Sequence, residues 1–168
     1  MIDKENLALY AFRKFGDTVL RAAYACTGNM AEAEDITQEV FLKLHSSKNE
    51  FNDDEHLKAW LLRVAINSGR NFRKSFRFSR TSSIDEVNEN DMKCEFTSGE
   101  NEIREIIASL PKKYSSVIFL YYYEGYKVRE IAEMLDASEN TISSWLQRGR
   151  KKLRLELEKE GYYETEGI

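Results

Sequence analysis

Apolar residues recur at intervals of three and four along most of this 168-residue chain, and a single proline, Pro111, interrupts it. Such spacing puts apolar side chains on one stripe of a helix, whereas the alternation expected of strands is scarce. With proline so rare the chain tolerates long helices, and the expected fold is all-α. At 42% hydrophobic and 32% charged residues, the chain has apolar surface enough for a core, which separates it from disordered chains of similar charge. Its length suits one ordinary domain or two small ones.

The first half divides into three helical stretches. In "LALYAFRKFGDTVLRAAYAC" the residues Leu9, Phe12, Val19, Leu20, Ala23 and Tyr24 form an apolar stripe. "TGN" (Thr27 to Asn29) supplies a glycine stop and a polar restart. In "MAEAEDITQEVFLKLHSS" one face carries Ile36, Val40, Phe41 and Leu44, with Glu32, Glu34 and Asp35 near the positive end of the helix dipole. After a loop, "KNEFNDD", the stretch "EHLKAWLLRVAINSGRNFRKSF" turns Leu57, Trp60, Leu61, Val64 and Ala65 inward.

Residues 79–100, "SRTSSIDEVNENDMKCEFTSGE", lack this periodicity and are rich in Ser, Asn, Asp and Glu. An irregular segment of about 20 residues is unusual within a compact domain and reads as a flexible acidic linker. The expected organisation is a helical domain over 1–78, the linker over 79–100, a second helical domain over 101–160 and a tail over 161–168.

Net charge is −4, but the sum conceals segregation. Phe51 to Arg80 carries 7 basic and 3 acidic residues, whereas Thr81 to Leu110 carries 2 basic and 8 acidic. Two basic patches, Arg70 to Arg80 and Arg148 to Arg154, flank that acidic segment, a distribution that suits a polyanionic partner. The second patch closes "EIAEMLDASENTISSWLQRGRKKLR", which has the pattern of a helix-turn-helix. Ile131, Leu135, Ile142 and Leu146 would face inward, and Ala132 is small enough for a close neighbour. Asp136 tolerates a left-handed turn and Ser138 caps the second helix. Ile142, Leu146, Gly149 and Leu153 form a buried stripe; Ser144, Arg148, Lys151 and Lys152 fall opposite. No acid stands between Ser143 and Leu155, whereas a merely solvated face mixes signs.

Other classes find less support. No apolar run approaches the ~20 residues needed to span a bilayer, and the acidic N-terminus does not resemble a signal peptide, so a cytoplasmic protein is expected. Cys26 and Cys94 lie far apart with no zinc-type spacing, and no nucleophile constellation or Gly-rich phosphate loop stands out. No metal, cofactor, disulfide or enzymatic activity is expected.

Three blocks in series, "FGDTVLRAAYACTGNMAEAEDITQEVFLKL", "FNDDEHLKAWLLRVAINSGRNFRK" and "LPKKYSSVIFLYYYEGYKVREIAEMLDASENTISSWLQRGRKKLR", strongly resemble the bacterial sigma-70 family of RNA polymerase sigma factors. The resemblance covers about Leu9 to Leu155 and is strongest to the compact extracytoplasmic-function group, two helical domains joined by a linker. It implies an initiation factor whose partners are core RNA polymerase, through the β′ clamp helices and the β subunit, and promoter DNA. Relatives are commonly held by an anti-sigma factor.

The resemblance also implies residue roles. Asp35, Gln38, Glu39, Phe41 and Leu42 would meet the polymerase. Phe51 and Asn52, in the loop that helps hold a flipped base, would read the minus-ten element with Asn67, Arg70, Asn71, Arg73 and Lys74 and assist melting. Thr141, Ser143, Ser144, Gln147, Arg148, Arg150, Lys151 and Lys152 would read the minus-thirty-five element. Four positions depart from the family pattern: Ser143 and Trp145 stand where relatives often carry basic residues, and Asp136 and Asn140 where glycine is common. Trp145 is expected to pack inward. The linker would thread toward the polymerase active site, either as a nucleic-acid mimic or as a solvated spacer. Two other readings use part of the same sequence: a helix-turn-helix regulator that never joins polymerase, and a helical adaptor indifferent to DNA. Neither requires "DITQEVFLKL" or "WLLRVAINSGRNFRK".

Overall fold

The computed structural model describes residues 4–79 and 98–161, with side chains over 6–71 and 102–161. Every regular element among the described residues is helical, and the chain divides into two compact units, Met1–Lys93 and Cys94–Ile168. Most of the expected linker, the last seven residues of the tail, Cys94 and the side chains of Arg73 and Lys74 lie outside the described residues. Helix reaches slightly into the expected linker at both ends, to Ser79 on one side and from Ser98 on the other.

The first unit packs three helices: α1 (Lys4–Thr27), α2 (Met30–Ser46) and α3 (Asp54–Ser79). The first break is chemically defined. Gly28 adopts φ 67° and its N–H donates to the Tyr24 carbonyl at 2.8 Å, ending α1. The Asn29 side chain then accepts from the Glu32 N–H at 3.0 Å, opening α2 one residue later. A two-residue break of this kind folds α2 back on α1.

The buried face of α1 differs from the stripe expected of it. Val19 and Ala23 are buried, but Leu9 and Phe12 are 47% and 54% exposed. Ala11, Phe15, Ala22 and Cys26 make the contact surface instead. Small residues let helices approach closely, whereas the larger Leu9 and Phe12 sit outside the seam. The approach is close at Gly69 of α3, where an added Cβ would lie 2.8 Å from the Cys26 Cβ. On α3, Leu57, Leu61 and Ala65 are buried as expected, joined by Leu62 and Ile66, while Trp60 and Val64 are half-buried.

The second unit contains α4 (Ser98–Ser109), α5 (Lys112–Ile118), α6 (Val128–Leu135) and α7 (Glu139–Lys159). Ile107, Leu110, Tyr114 and Ile118 form one core cluster, covered by Ile103, Trp145 and Leu153. Pro111 precedes α5, where its missing N–H costs nothing. The end of α5 widens into a π-helical turn over Phe119–Tyr123, in which the Glu124 N–H reaches back five residues to the Phe119 carbonyl at 3.2 Å. Phe119 and Leu120 are buried there, and Tyr121, Tyr122 and Tyr123 face solvent. Gly125, at φ 72°, ends the turn.

Candidate functional site

The α2 helix has two unlike faces. Ala33, Ile36, Thr37, Val40, Phe41 and Leu44 are buried against the bundle. Asp35, Gln38, Glu39 and Leu42, at i, i+3, i+4 and i+7, are all exposed, so a single stripe combines three polar groups with a leucine 68% uncovered. Phe41 belongs to the inner face: it is 9% exposed and meets Phe12 edge-on at 5.3 Å. Its burial agrees with the inner face expected of it, with Phe12 of α1 packed against its outer edge. Glu39 pairs with Lys43 one turn on, at 2.9 Å. Exposed pairs of this kind contribute ~0.3–0.5 kcal/mol and are readily opened by a partner.

The loop leading into α3 is organised by its own side chains. The Asp53 carboxylate accepts from the His56 N–H at 2.8 Å, capping the helix, and His56 Nδ1 accepts from the Asn52 N–H at 3.2 Å. Phe51 is half-buried between two rings, edge-on to His56 at 5.3 Å and to Trp60 at 5.7 Å. The Asn52 side chain is left exposed. Further along α3, Asn67 and Arg70 are half-buried and Asn71 is exposed, with the two amides four residues apart on one face.

A network across α1 and α3 fixes the start of α3. The Tyr10 hydroxyl donates to Asp54 Oδ2 at 2.8 Å, and Lys14 donates to the Tyr10 oxygen at 3.3 Å and forms an ion pair with Asp54. The hydrogen bond to Asp54 raises the Lys14 pKa, with a smaller contribution from Tyr10. The same bond from Lys14 lowers that of Asp54, again assisted by Tyr10.

In the second unit the helix-turn-helix has the expected local geometry. Ile131, Ala132 and Leu135 of α6 and Ile142, Leu146 and Gly149 of α7 are buried. Asp136 turns between the helices at φ 52°, ψ 52°, the one non-glycine residue with positive φ among those described. The Ser138 hydroxyl accepts from the Thr141 N–H at 3.1 Å, capping α7, and shares a 2.8 Å hydrogen bond with the Thr141 hydroxyl. Thr141 is thus half-buried and engaged in the cap rather than free on the outer face. Trp145 packs inward on the core cluster. Gly149, expected in the buried stripe, proves to be a point of close approach: a Cβ there would meet Ile118 Cδ1 at 2.9 Å and Tyr114 Cβ at 3.1 Å.

The outer face of α7 presents Ser143, Ser144, Gln147, Arg148, Arg150, Lys151 and Lys152, all exposed. Cations further along the helix are neutralised locally, Arg154 by Glu158 and Lys159 by Glu156, each at 3.2 Å. Among the described residues, Arg148, Arg150, Lys151 and Lys152 form no ion pair. The positive charge of this face is left for an external anion. Hydroxyls and an amide central to a cationic helix face suit a duplex: neutral donors address base edges, and cations address phosphates.

No described helix is long and apolar enough to cross a membrane, and no described group of three or more His, Cys, Asp or Glu could hold a metal ion. Two family models match the sequence: Sigma-70 region 2 over residues 11–77, and Sigma-70, region 4 over residues 100–153. The ECF RNA polymerase sigma factor SigL of Mycobacterium tuberculosis is 31% identical over 149 residues, covering 84% of this chain and 83% of that protein. The RNA polymerase sigma factor SigV of Bacillus subtilis is 27% identical over 140 residues, covering 83% and 84%. Among solved structures, the complex of the sigma factor RpoE with the anti-sigma factor NepR from Bartonella quintana matches in fold. The TM-score is 0.69 at 19% identity, covering 89% of this chain and 95% of that one.

Proposed function

The chain belongs to the sigma-70 family of RNA polymerase sigma factors, in its extracytoplasmic-function group, and on that premise we propose how its two units share the work of initiation. As a sigma factor it directs promoter-specific transcription initiation by RNA polymerase. The first unit, the expected domain 1–78, holds the polymerase and acts on the minus-ten element. The second, 101–160, reads the minus-thirty-five element, and 79–100 is the acidic link between them.

The observation that carries the first assignment is the outer stripe of α2. Asp35, Gln38, Glu39 and Leu42 contribute nothing to the bundle, yet they alternate with residues that hold it together. Polar side chains gain nothing from core packing, so an uncovered stripe of this composition fits a partner of mixed polar and apolar character. The proposed partner surface is the β′ clamp helices, with Phe41 supporting the stripe from beneath and the β subunit as a further contact.

For melting, Phe51 offers a ring and Asn52 an amide beside the start of α3. Extruding a base costs a few kcal/mol, and stacking returns ~1–3 kcal/mol per base. Asn67 and Asn71 would read base edges, with Arg70, Arg73 and Lys74 on the backbone. In the second unit Ser143, Ser144, Gln147 and Arg148 are assigned to the groove, and Arg150, Lys151 and Lys152 to phosphate. Thr141 acts there through the cap. The factor contributes no catalysis of its own and acts with polymerase in the cytoplasm; an anti-sigma factor is a candidate further partner, since the similar RpoE is found in complex with NepR.

The test is to add the purified protein to core polymerase and map transcript starts on genomic templates. New start sites are expected, and their absence on every template would defeat the reading. Gln38→Ala with Glu39→Ala should weaken core binding, and Arg148→Ala should weaken binding chiefly at the upstream element. If both variants behaved as wild type, the residue assignments would fall even with the function intact.

A further inference from the structure

The π-helical turn carries three exposed tyrosines to which the helix-turn-helix reading gives no role. Tyr121, Tyr122 and Tyr123 are 37%, 51% and 42% exposed; Tyr123 stacks on the buried Phe119 at 5.9 Å. One of them reaches α7. The Arg150 guanidinium donates to the Tyr122 hydroxyl at 3.2 Å, across 28 residues of sequence. The Tyr121 ring meets the Tyr122 ring edge-on at 4.9 Å and limits its swing.

We propose that the Tyr122 hydroxyl and the Arg150 guanidinium form a two-donor clamp for one backbone phosphate of the minus-thirty-five duplex. The inference rests on the reading of α7 as the DNA-facing helix. The chemistry lies in the choice of partner. Arg154 is held by a carboxylate, which cancels its charge; Arg150 is held by a phenol, which orients the guanidinium and leaves its charge intact. A phenolic oxygen that accepts from a cation keeps its own O–H for donation, and the bond it receives polarises that O–H further. The remaining guanidinium donors and this O–H together suit a phosphate oxygen, which only accepts. Ser143, Gln147 and Arg150 fall at i, i+4 and i+7 on α7, so the clamp lies on the flank of the proposed reading face. Tyr122 would thus be a backbone-contacting and positioning residue supplied from outside the helix-turn-helix.

The experiment uses holoenzyme and a duplex carrying the minus-thirty-five element mapped from its transcripts, titrated across salt. Tyr122→Phe removes one oxygen from an exposed position. It should weaken binding about three- to tenfold, the range for one ordinary, solvent-exposed hydrogen bond, with an unchanged salt slope and melting curve. Arg150→Ala should weaken binding about tenfold and reduce the slope of log K against log salt by about 0.9, one phosphate's worth. The double variant should lose less than the product of the two. A scan of neutral methylphosphonate linkages should find one position at which wild type and Tyr122→Phe bind equally. A gap that persists at every linkage, or losses that simply multiply, would overturn the clamp. If Arg148→Ala and Arg150→Ala weaken binding but Tyr122→Phe does not, the clamp is overturned and the reading of α7 stands. If none of the three matters, that reading falls and takes the clamp with it.

Discussion

Replacing Gly69 with alanine should destabilise the first unit, although alanine is the better helix former. In helix interiors alanine is favoured over glycine by about 0.8–1.0 kcal/mol. Against this, the new methyl would lie 2.8 Å from the Cys26 Cβ, 3.7 Å from its Sγ and 3.8 Å from Ile36 Cδ1. The first of these atoms is fixed to the α1 backbone, and Cys26 is fully buried, so no rotamer change relieves the clash. Helix α3 must move off α1, and overpacking of this kind costs ~1–3 kcal/mol. The expected balance is a loss of about 1 kcal/mol, reaching ~2. The two tryptophans, Trp60 and Trp145, fall one in each unit. In a Trp145→Phe background, urea unfolding followed by fluorescence therefore reports the first unit alone. At a slope near 1 kcal/mol/M for so small a domain, the midpoint should fall by about 1–2 M. Cys26→Gly removes the opposing Cβ, so the losses in Cys26→Gly/Gly69→Ala should be less than additive. An unchanged or raised midpoint for Gly69→Ala, or strict additivity, would refute the close-approach argument. Asn67, Arg70 and Asn71, proposed above to engage the minus-ten element, flank Gly69 on the same helix, so on that proposal the displacement should also weaken the engagement.

Three further outcomes can be measured. Ser138→Ala removes the α7 cap and should cost the second unit about 1 kcal/mol, read as a lower Trp145 transition. Asp136→Gly should stabilise the same transition by about 0.5–1 kcal/mol, since glycine adopts the left-handed conformation without the Cβ penalty. The Lys14–Asp54 pair gives a pH signature. The lowered Asp54 pKa contributes stability above the ordinary aspartate value of about 3.9 that is lost as pH falls through the folded value; the raised Lys14 pKa contributes below about 10.4 and is lost as pH rises through its own. The stability gap between wild type and Lys14→Met should therefore be widest near neutral pH, close at both extremes and narrow with salt.

What could be read in advance was local. The helix-turn-helix follows from short-range chemistry: Asp136 tolerates a left-handed turn, Ser138 caps, and the spacing of Ile142, Leu146 and Gly149 assigns the buried face. The break after Thr27 was legible for the same reason. On α1 the stripe was read only in part: Val19 and Ala23 are buried as expected, but Phe15 and the small residues Ala11, Ala22 and Cys26, which carry little hydrophobic signal, take the place of Leu9 and Phe12. Phe12 instead covers Phe41 from outside, a contact between helices that no single-helix periodicity contains. The π-helical turn was invisible too. "FLYYY" is apolar or amphipathic at every position, and nothing in it marks the extra residue that sets which rings face solvent. The Tyr122–Arg150 contact depends on that turn, so its residues drew no attention in the sequence.

The seating of α7 bears on how promoter preference changes over time. Its depth and rotation are set by Ile142, Leu146 and Gly149, the last pressed on Ile118 and Tyr114, none of which faces outward. Ser143, Ser144 and Gln147 take no part in that seating. Substitutions there leave the fold essentially untaxed, so if these residues read the upstream element as proposed, its preferred sequence can change without a change in the scaffold. The same helix resists exchange along its inner side, where few substitutions should be tolerated.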